Sequence, residues 1–476
     1  MQTVYGERMM LRAPRARSIS FLGVDPMPAS HTGDSHAPPT DHSGPGRSLR
    51  RHWVLWAVLV AYTGLGIAYI RANPWGGGLD EPLHANYVQV LAEEHRLPWI
   101  YQEDGRWVRY RDAHAMHPPV YHLLQVPVYL ATRSSELAAR VSMRVFNLLL
   151  GGLSVVLVYV IALAAFRGRL PEAAGVTAFY ALMPHVLLIS SVINNDIASI
   201  LVFLLLLYLG AVRWSEAMTW PRAAALGLVA GIAGLTKGTC EVAGFPMAVL
   251  LTYLADRHEG RFRAWCKAAL TGLVALVLVA PWHLRNLRLY GSLSFMPDDG
   301  PNPLLPNQEP LIVQLMHDHF LPVLKHALQW QVNTLWSQED WVPPGLRPYV
   351  YGVGWVFLVG GGLLGAIAYR RHRELFEPRV WVAYLASALP LWLMALYIAL
   401  FAHFGWTRGG RYLLCLLPAL GSLPLAALVW VRGRWRFGPW LAPALIAASL
   451  LALNALCMHH LVSELIPAHG QTSLLG

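Results

Sequence analysis

The chain has 476 residues, of which 55% are hydrophobic and only 13% charged, with a formal net charge of +10. Soluble globular chains carry roughly a quarter charged residues, so this balance excludes them and points to a polytopic, all-α membrane protein. The basic excess falls in short clusters between apolar runs, which is the pattern of cytoplasmic loops and not of a nucleic-acid footprint.

Residues 1–50 are rich in Pro, Ser, His, Gly and Arg and show no apolar period, so they are expected to form a disordered tail. Arg47, Arg50 and Arg51 close that tail, and the uncharged run 53–70 is long enough to cross a bilayer. The basic flank places the N-terminus in the cytoplasm, and the missing small-residue cleavage site makes the run an anchor. Immediately beyond it, Gly76-Gly77-Gly78-Leu79-Asp80-Glu81-Pro82-Leu83-His84 sets two adjacent acids between a glycine run and a stiffening proline. Such a turn would hold Asp80 rigidly at the outer membrane surface.

A long first external loop, 71–144, follows. Its apolar piece, 118–131, contains His122, Gln125 and Pro127, and at about fourteen residues is too short and polar to cross, so a helix lying in the interface is expected. Later spans read as 145–166, 173–193, 197–212, 222–236, 239–255, 268–284, 349–369, 380–402, 412–431 and 438–460, giving about eleven crossings and a membrane-embedded domain over 51–476. Parity supports this count, because every second connection is then basic: Arg167 and Arg169; Arg213 and Arg222; Arg257 to Lys267; Arg370 to Arg379; Arg432 to Arg436. A second external loop, 285–348, starts Pro-rich and acidic and continues as an amphipathic stretch from Leu311 to Trp336. Within it His317-Asp318-His319 lacks further ligands at helical spacing, so no metal site follows. Cys240, Cys266, Cys415 and Cys457 have no C-x-x-C spacing and read as small apolar residues.

With this topology the external ends of the spans collect ionisable residues: Asp80 and Glu81; His114 and His117 before Pro118-Pro119; Asn194-Asn195-Asp196; Lys237; Arg285 and Arg288; Arg408 and Arg411. Cations on that side run against the insertion bias, so acids facing bases there form a candidate site. Each has a plainer reading. Asp196 would cap the helix after it, the arginines would anchor to lipid headgroups, and His117 would be an ordinary loop residue. Together they suit glycosyl transfer from a phosphate-linked lipid, where a carboxylate accepts the proton of the attacking hydroxyl and cations stabilise the departing phosphate.

The motifs resemble the GT-C superfamily of multi-pass glycosyltransferases that use polyprenyl-phosphate sugars, including protein mannosyltransferases and aminoarabinose transferases. The resemblance rests on Asp80-Glu81, the x-Pro-Pro-x-Tyr run from His117 to Tyr121, Asn195-Asp196 and Arg144-Val145-Phe146-Asn147. A bacterial set within the group shares Asn-Asn-Asp, Leu-Thr-Lys, Pro-Trp-x-x-Arg-Asn-x-x-x-Tyr-Gly and Gly-Arg-Tyr-Leu-Leu, here at 194, 235, 281 and 410. It implies Asp80 as general base and Asp196 as its support or as an aid to a divalent ion, the one cofactor left open. The expected partners are a polyprenyl-phosphate sugar, a lipid, glycan or protein acceptor, and membrane lipid. Two departures stand out: His117 replaces the lysine that many relatives use toward the donor phosphate, and no large C-terminal external domain is present. The rivals are a transporter or flippase of lipid-linked saccharides and a ligase or polymerase using undecaprenyl-diphosphate oligosaccharides.

Overall fold

The computed structural model describes residues 52–78, 80–103, 106–108, 115–293, 320–337, 341–401, 410–432 and 438–468. The tail 1–50, His114, His317-Asp318-His319 and Arg408 lie outside them. The described chain is helical apart from one small ribbon. Helix α1 (Trp53–Ala72) carries no charge before Arg71 and ends where Asn73 turns extended ahead of Pro74, the conformation a following proline imposes. Then come α2 (Glu81–Glu93), strands β1 (Tyr101–Glu103) and β2 (Arg106–Val108) paired antiparallel, and α3 (Val120–Thr132). Helix α3 is the expected short helix, with 13 residues and Pro127 inside. Helix α2 and the ribbon were not anticipated: charges interrupt the apolar period of the first, and three-residue strands are too short to show one.

Helix α4 (Glu136–Ala165) starts earlier than the expected 145, because Ser135 caps it by accepting from the Ala138 amide at 3.3 Å. Arg144 consequently lies inside the helix and not at its mouth. Next, α5 (Leu170–Ala181) and α6 (Pro184–Ser191) are bent by 55°. Pro184 has no amide hydrogen to continue α5, and Met183 before it is extended. The chain proceeds through α7 (Asp196–Leu207), prolonged by a π-turn to Arg213, then α8 (Trp220–Thr236), α9 (Thr239–Asp256) and α10 (Arg261–Tyr290). It continues with α11 (Phe320–Trp336), α12 (Arg347–Trp355), α13 (Gly361–Arg371), α14 (Pro378–Phe401), α15 (Leu417–Arg432) and α16 (Leu441–His460).

A helix stands at each expected span. Among the described residues, 7 helical runs are long and apolar enough to cross a membrane, or 8 if the bent pair α5–α6 is one span. The remaining expected positions are α8, α9 and α14; α8 has 17 residues, and α9 carries Glu241 and Asp256. Helices α8 and α10 pack at backbone distance, since a Cβ on Gly227 would lie 2.4 Å from the Thr271 carbonyl oxygen and one on Gly231 2.7 Å from Leu278. This is the small-x-x-x-small device for joining helices where water supplies no driving force.

One face of α4 ties the site-bearing segments together. Arg144 has no exposed side-chain surface and forms a two-pronged pair with Glu81, Nε to Oε1 at 2.7 Å and Nη2 to Oε2 at 2.6 Å. Its remaining hydrogens reach the carbonyls of Ile70, Asn73 and Pro74. One turn on, Asn147 donates to the carbonyls of Val192 and Asn194 at 2.6 and 3.0 Å and accepts from Gln125 and Tyr121 of α3. Removing one partner of such a pair strands a charge where water cannot reach it. Arg144→Ala is therefore expected to destabilise the protein by about 3–5 kcal/mol, read as a lower thermal midpoint in detergent, whereas Arg140→Ala, from a partly exposed i,i+4 pair, changes it little.

Candidate active site

Asp80 sits on the turn between α1 and α2 with φ 61° and ψ 21°, the left-handed region that Asp tolerates better than most residues. Its carbonyl accepts from the amides of Leu83 and His84, so the first turn of α2 holds it in place. The side chain is 47% exposed, and Oδ2 lies 3.7 Å from Nη1 of Arg411. Glu81, the next residue, points the opposite way. It is fully buried, and besides both prongs of Arg144 it accepts from the Ile193 amide at 3.0 Å. The two adjacent acids expected to act together thus occupy different surroundings.

Arg411 is brought to Asp80 by a 3-10 turn, Gly410–Leu416. Gly410 is required there: a Cβ would fall 2.3 Å from the carbonyl oxygen of Gln331 in α11, and the Gly410 amide donates to Thr334 Oγ1 at 2.6 Å. Helix α8 ends at Lys237, which turns extended and contacts Asp196 Oδ1. The Tyr412 ring lies near both cations, its centroid 5.2 Å from Lys237 Nζ and 5.3 Å from Arg411 Cζ. Asp196, Ser199, Lys237, Thr239, Arg411 and Tyr412 line one cleft. Charges therefore alternate, Asp80 to Arg411 to Asp196 to Lys237, drawn from the ends of four separate segments. Asp196 is not the cap of α7; Asn195 holds that position, and Asn194 Oδ1 accepts from the Asp196 amide at 2.6 Å.

His117 is half-buried beside this cleft. Its Nδ1 lies 3.5 Å from Asn195 Nδ2, and its ring centre is 5.4 Å from that of His84, whose Nδ1 is 3.0 Å from His122 Nε2. Arg285 is engaged elsewhere: it donates to the Pro98 carbonyl and lies over Trp282 at 5.0 Å. Tyr290, on the same helix, accepts from the Ile100 amide at 3.2 Å, so the Pro-Trp-x-x-Arg-Asn-x-x-x-Tyr-Gly run clamps the first loop onto α10. Arg288 is exposed. The structure thus brings together Asp80, Asp196, Lys237, Arg411 and His117, and sets Glu81, Arg285 and Arg288 in other surroundings.

Two features escaped the sequence reading. His185 of α6 is buried and its Nδ1 lies 2.6 Å from the Thr334 carbonyl oxygen; in an apolar helix it carries no pattern. Glu241 receives His283 Nε2 at 3.1 Å on each oxygen, a pair separated by too much sequence to be read. Among the described residues no three His, Cys, Asp or Glu side chains are disposed to hold a metal ion. Asp196, the acid expected to help a divalent ion, already has two cations beside it and does not fit one.

Residues 116–284 match the model of the dolichyl-phosphate-mannose-protein mannosyltransferase family. Comparison with curated proteins finds no match. Among solved structures the chain is similar to ArnT from Cupriavidus metallidurans, there bound to undecaprenyl phosphate, with 18% identity, 90% of this chain and 79% of that one covered, and a TM-score of 0.51. It is also similar to the Archaeoglobus fulgidus oligosaccharyltransferase tethered with an acceptor peptide, with 12% identity, 87% of this chain covered and a TM-score of 0.50. It covers 56% of that protein. The helical bundle thus shares its fold with these two proteins, as the resemblance led one to expect.

The buried contact of Lys237 with Asp196 gives a direct test. Lys237→Met alone removes the cation in direct contact with a buried carboxylate and is expected to lower stability by roughly 3–5 kcal/mol. Joined to Asp196→Leu it should recover most of that loss. A double-mutant cycle in detergent with no coupling between the two positions would show that the pair does not hold the cleft.

Proposed function

We propose that this chain transfers a glycosyl group from a polyprenyl-phosphate-linked sugar to an acceptor hydroxyl or amide at the outer face of the cytoplasmic membrane, with inversion and with Asp80 as general base. The observation that carries the reading is the pairing at the cleft mouth of a half-exposed carboxylate with two largely buried cations sharing one aromatic ring. The family match over 116–284 and the fold shared with ArnT support it.

Asp80, being exposed, is open to an acceptor. As the acceptor oxygen or nitrogen bonds to the anomeric carbon, its proton passes to Asp80 and the carbon–oxygen bond to phosphate breaks. Polyprenyl phosphate leaves with the bonding electrons, and Arg411 and Lys237 stabilise the charge that develops on it. Burial makes those cations more effective than surface ones, and both lie near the Tyr412 ring. His117 lines the approach as a further phosphate partner when protonated. Glu81 serves the scaffold through Arg144, and Arg285 and Arg288 stand at the rim, where lipid headgroups would meet them. The rival transporter reading would need ionisable groups along the middle of several helices, whereas this set gathers at helix ends.

Asp80→Asn keeps the shape and loses the proton acceptor, so turnover should fall about a hundredfold to ten-thousandfold while donor binding persists. An Asn variant as active as the parent would reduce Asp80 to a turn residue. Arg411→Ala should weaken undecaprenyl-phosphate binding by about tenfold to a hundredfold, measured on purified protein that remains folded. Orientation is tested by cysteines at exposed Ser292 and His258 after replacement of the native four: an impermeant thiol reagent on intact cells should label the first and spare the second.

A further inference from the structure

Two buried acceptor atoms beside the cations have no hydrogen-bond partner among the described residues, Asp196 Oδ2 and His185 Nε2. Lys237 meets Asp196 only at Oδ1. His185 faces a carbonyl through Nδ1, so that nitrogen carries the hydrogen and Nε2 presents a lone pair. The imidazole and the carboxylate interact electrostatically with each other and with Arg411. Ser199, on the turn after Asp196, gives its hydroxyl hydrogen to the Asp196 carbonyl at 2.7 Å and so leaves Oδ2 unaddressed.

A buried carboxylate oxygen without a donor is unfavourable, and two acceptors in one neighbourhood call for a donor from outside the chain. The cleft limits what that donor is. Lys237 and Arg411 disfavour an ammonium group, and the Tyr412 ring favours a partly apolar body, which together describe a sugar face with a neutral hydroxyl. Lys237 touches Oδ1 of Asp196, so a phosphate held by Lys237 would bring the sugar positions close to the anomeric carbon toward this acid.

We infer that Asp196 is the specificity residue of the proposed transfer, its Oδ2 accepting a hydrogen bond from the sugar hydroxyl adjacent to the anomeric carbon, with His185 as a positioning residue. The inference rests on the transferase reading above and assigns Asp196 a task distinct from proton transfer, which the exposed Asp80 performs. Loading the donor then supplies Oδ2 with the hydroxyl hydrogen it lacks, while Lys237 stays on Oδ1 and meets the phosphate.

The test uses the full chain in lipid nanodiscs with three probes: undecaprenyl phosphate, the undecaprenyl-phosphate hexose that supports transfer, and the 2-deoxy form of that hexose donor. The parent should prefer the hydroxylated donor to the 2-deoxy donor by about tenfold to a hundredfold in kcat/KM, the range of a hydrogen bond to a charged group. Asp196→Asn should reduce that preference to within about threefold, with affinity for undecaprenyl phosphate itself held or raised. His185→Phe should raise the donor KM more than it lowers kcat, and His185→Asn, which keeps a polar group, should restore part of the loss. Equal use of both donors by the parent overturns the inference and leaves the transferase reading standing. A parallel loss of undecaprenyl-phosphate affinity in Asp196→Asn also overturns it, since Asp196 would then act only by holding Lys237. Failure of transfer from every polyprenyl-phosphate sugar removes the transferase reading and this inference with it.

Discussion

A guanidinium without exposed surface, deep among helices, is the constraint on which the rest of this molecule depends. Arg144 cannot lose its charge, so the chain must supply acceptors for every hydrogen it carries. It does so with Glu81 and the carbonyls of Ile70, Asn73 and Pro74. Those groups belong to the end of α1, the glycine turn and the start of α2. Satisfying Arg144 therefore fixes the segment that carries Asp80, and the Ile193 amide on Glu81 fixes the turn that carries Asp196. A buried ion pair of this kind is poor evidence of stability for its own sake, since desolvation offsets much of its attraction. Its value here is register: two loops distant in sequence acquire one relative position.

The same requirement explains how two neighbouring acids differ. Successive residues at a helix start point roughly 100° apart. Once Glu81 is committed inward to Arg144, Asp80 must face outward, and its left-handed backbone completes the turn. A free carboxylate at the surface and a consumed one in the core follow from one geometric choice. Taking Asp80 and Glu81 as acids that act together ignores that direction, which periodicity does not reveal before the helix boundary is known.

Much of the fold was legible because membrane helices announce themselves by apolar length, and each expected span has a helix. Short polar elements were not. The three-residue strands and α2 are held by contacts made after folding, such as the amide of Ile100 on Tyr290 and the Arg144 pair. In the site, Asp80, Asp196, Lys237 and Arg411 were identifiable as ionisable residues at helix ends, where burial needs a reason. Arg285 was equally conspicuous but is committed to the Pro98 carbonyl, a partner nearly two hundred residues away. His185 was invisible for the opposite cause. A lone histidine in an apolar helix is unremarkable until its neighbours in space are known.

The cleft takes its cations from the end of one packed helix and from a turn pressed against another. Lys237 terminates α8, whose approach to α10 depends on Gly227 and Gly231, and Arg411 follows a glycine pressed against α11. Side chains that must hold a leaving phosphate benefit from such anchoring, because stabilisation of developing charge falls away when the donors must reorganise during reaction. The alternation of Asp80, Arg411, Asp196 and Lys237 balances charge in the unliganded state, so neither cation is buried without an acid in reach. Under the proposed transfer a phosphate arriving in the cleft competes with those acids for the same cations, and Asp80, the exposed one of the two, is the acid left facing an acceptor.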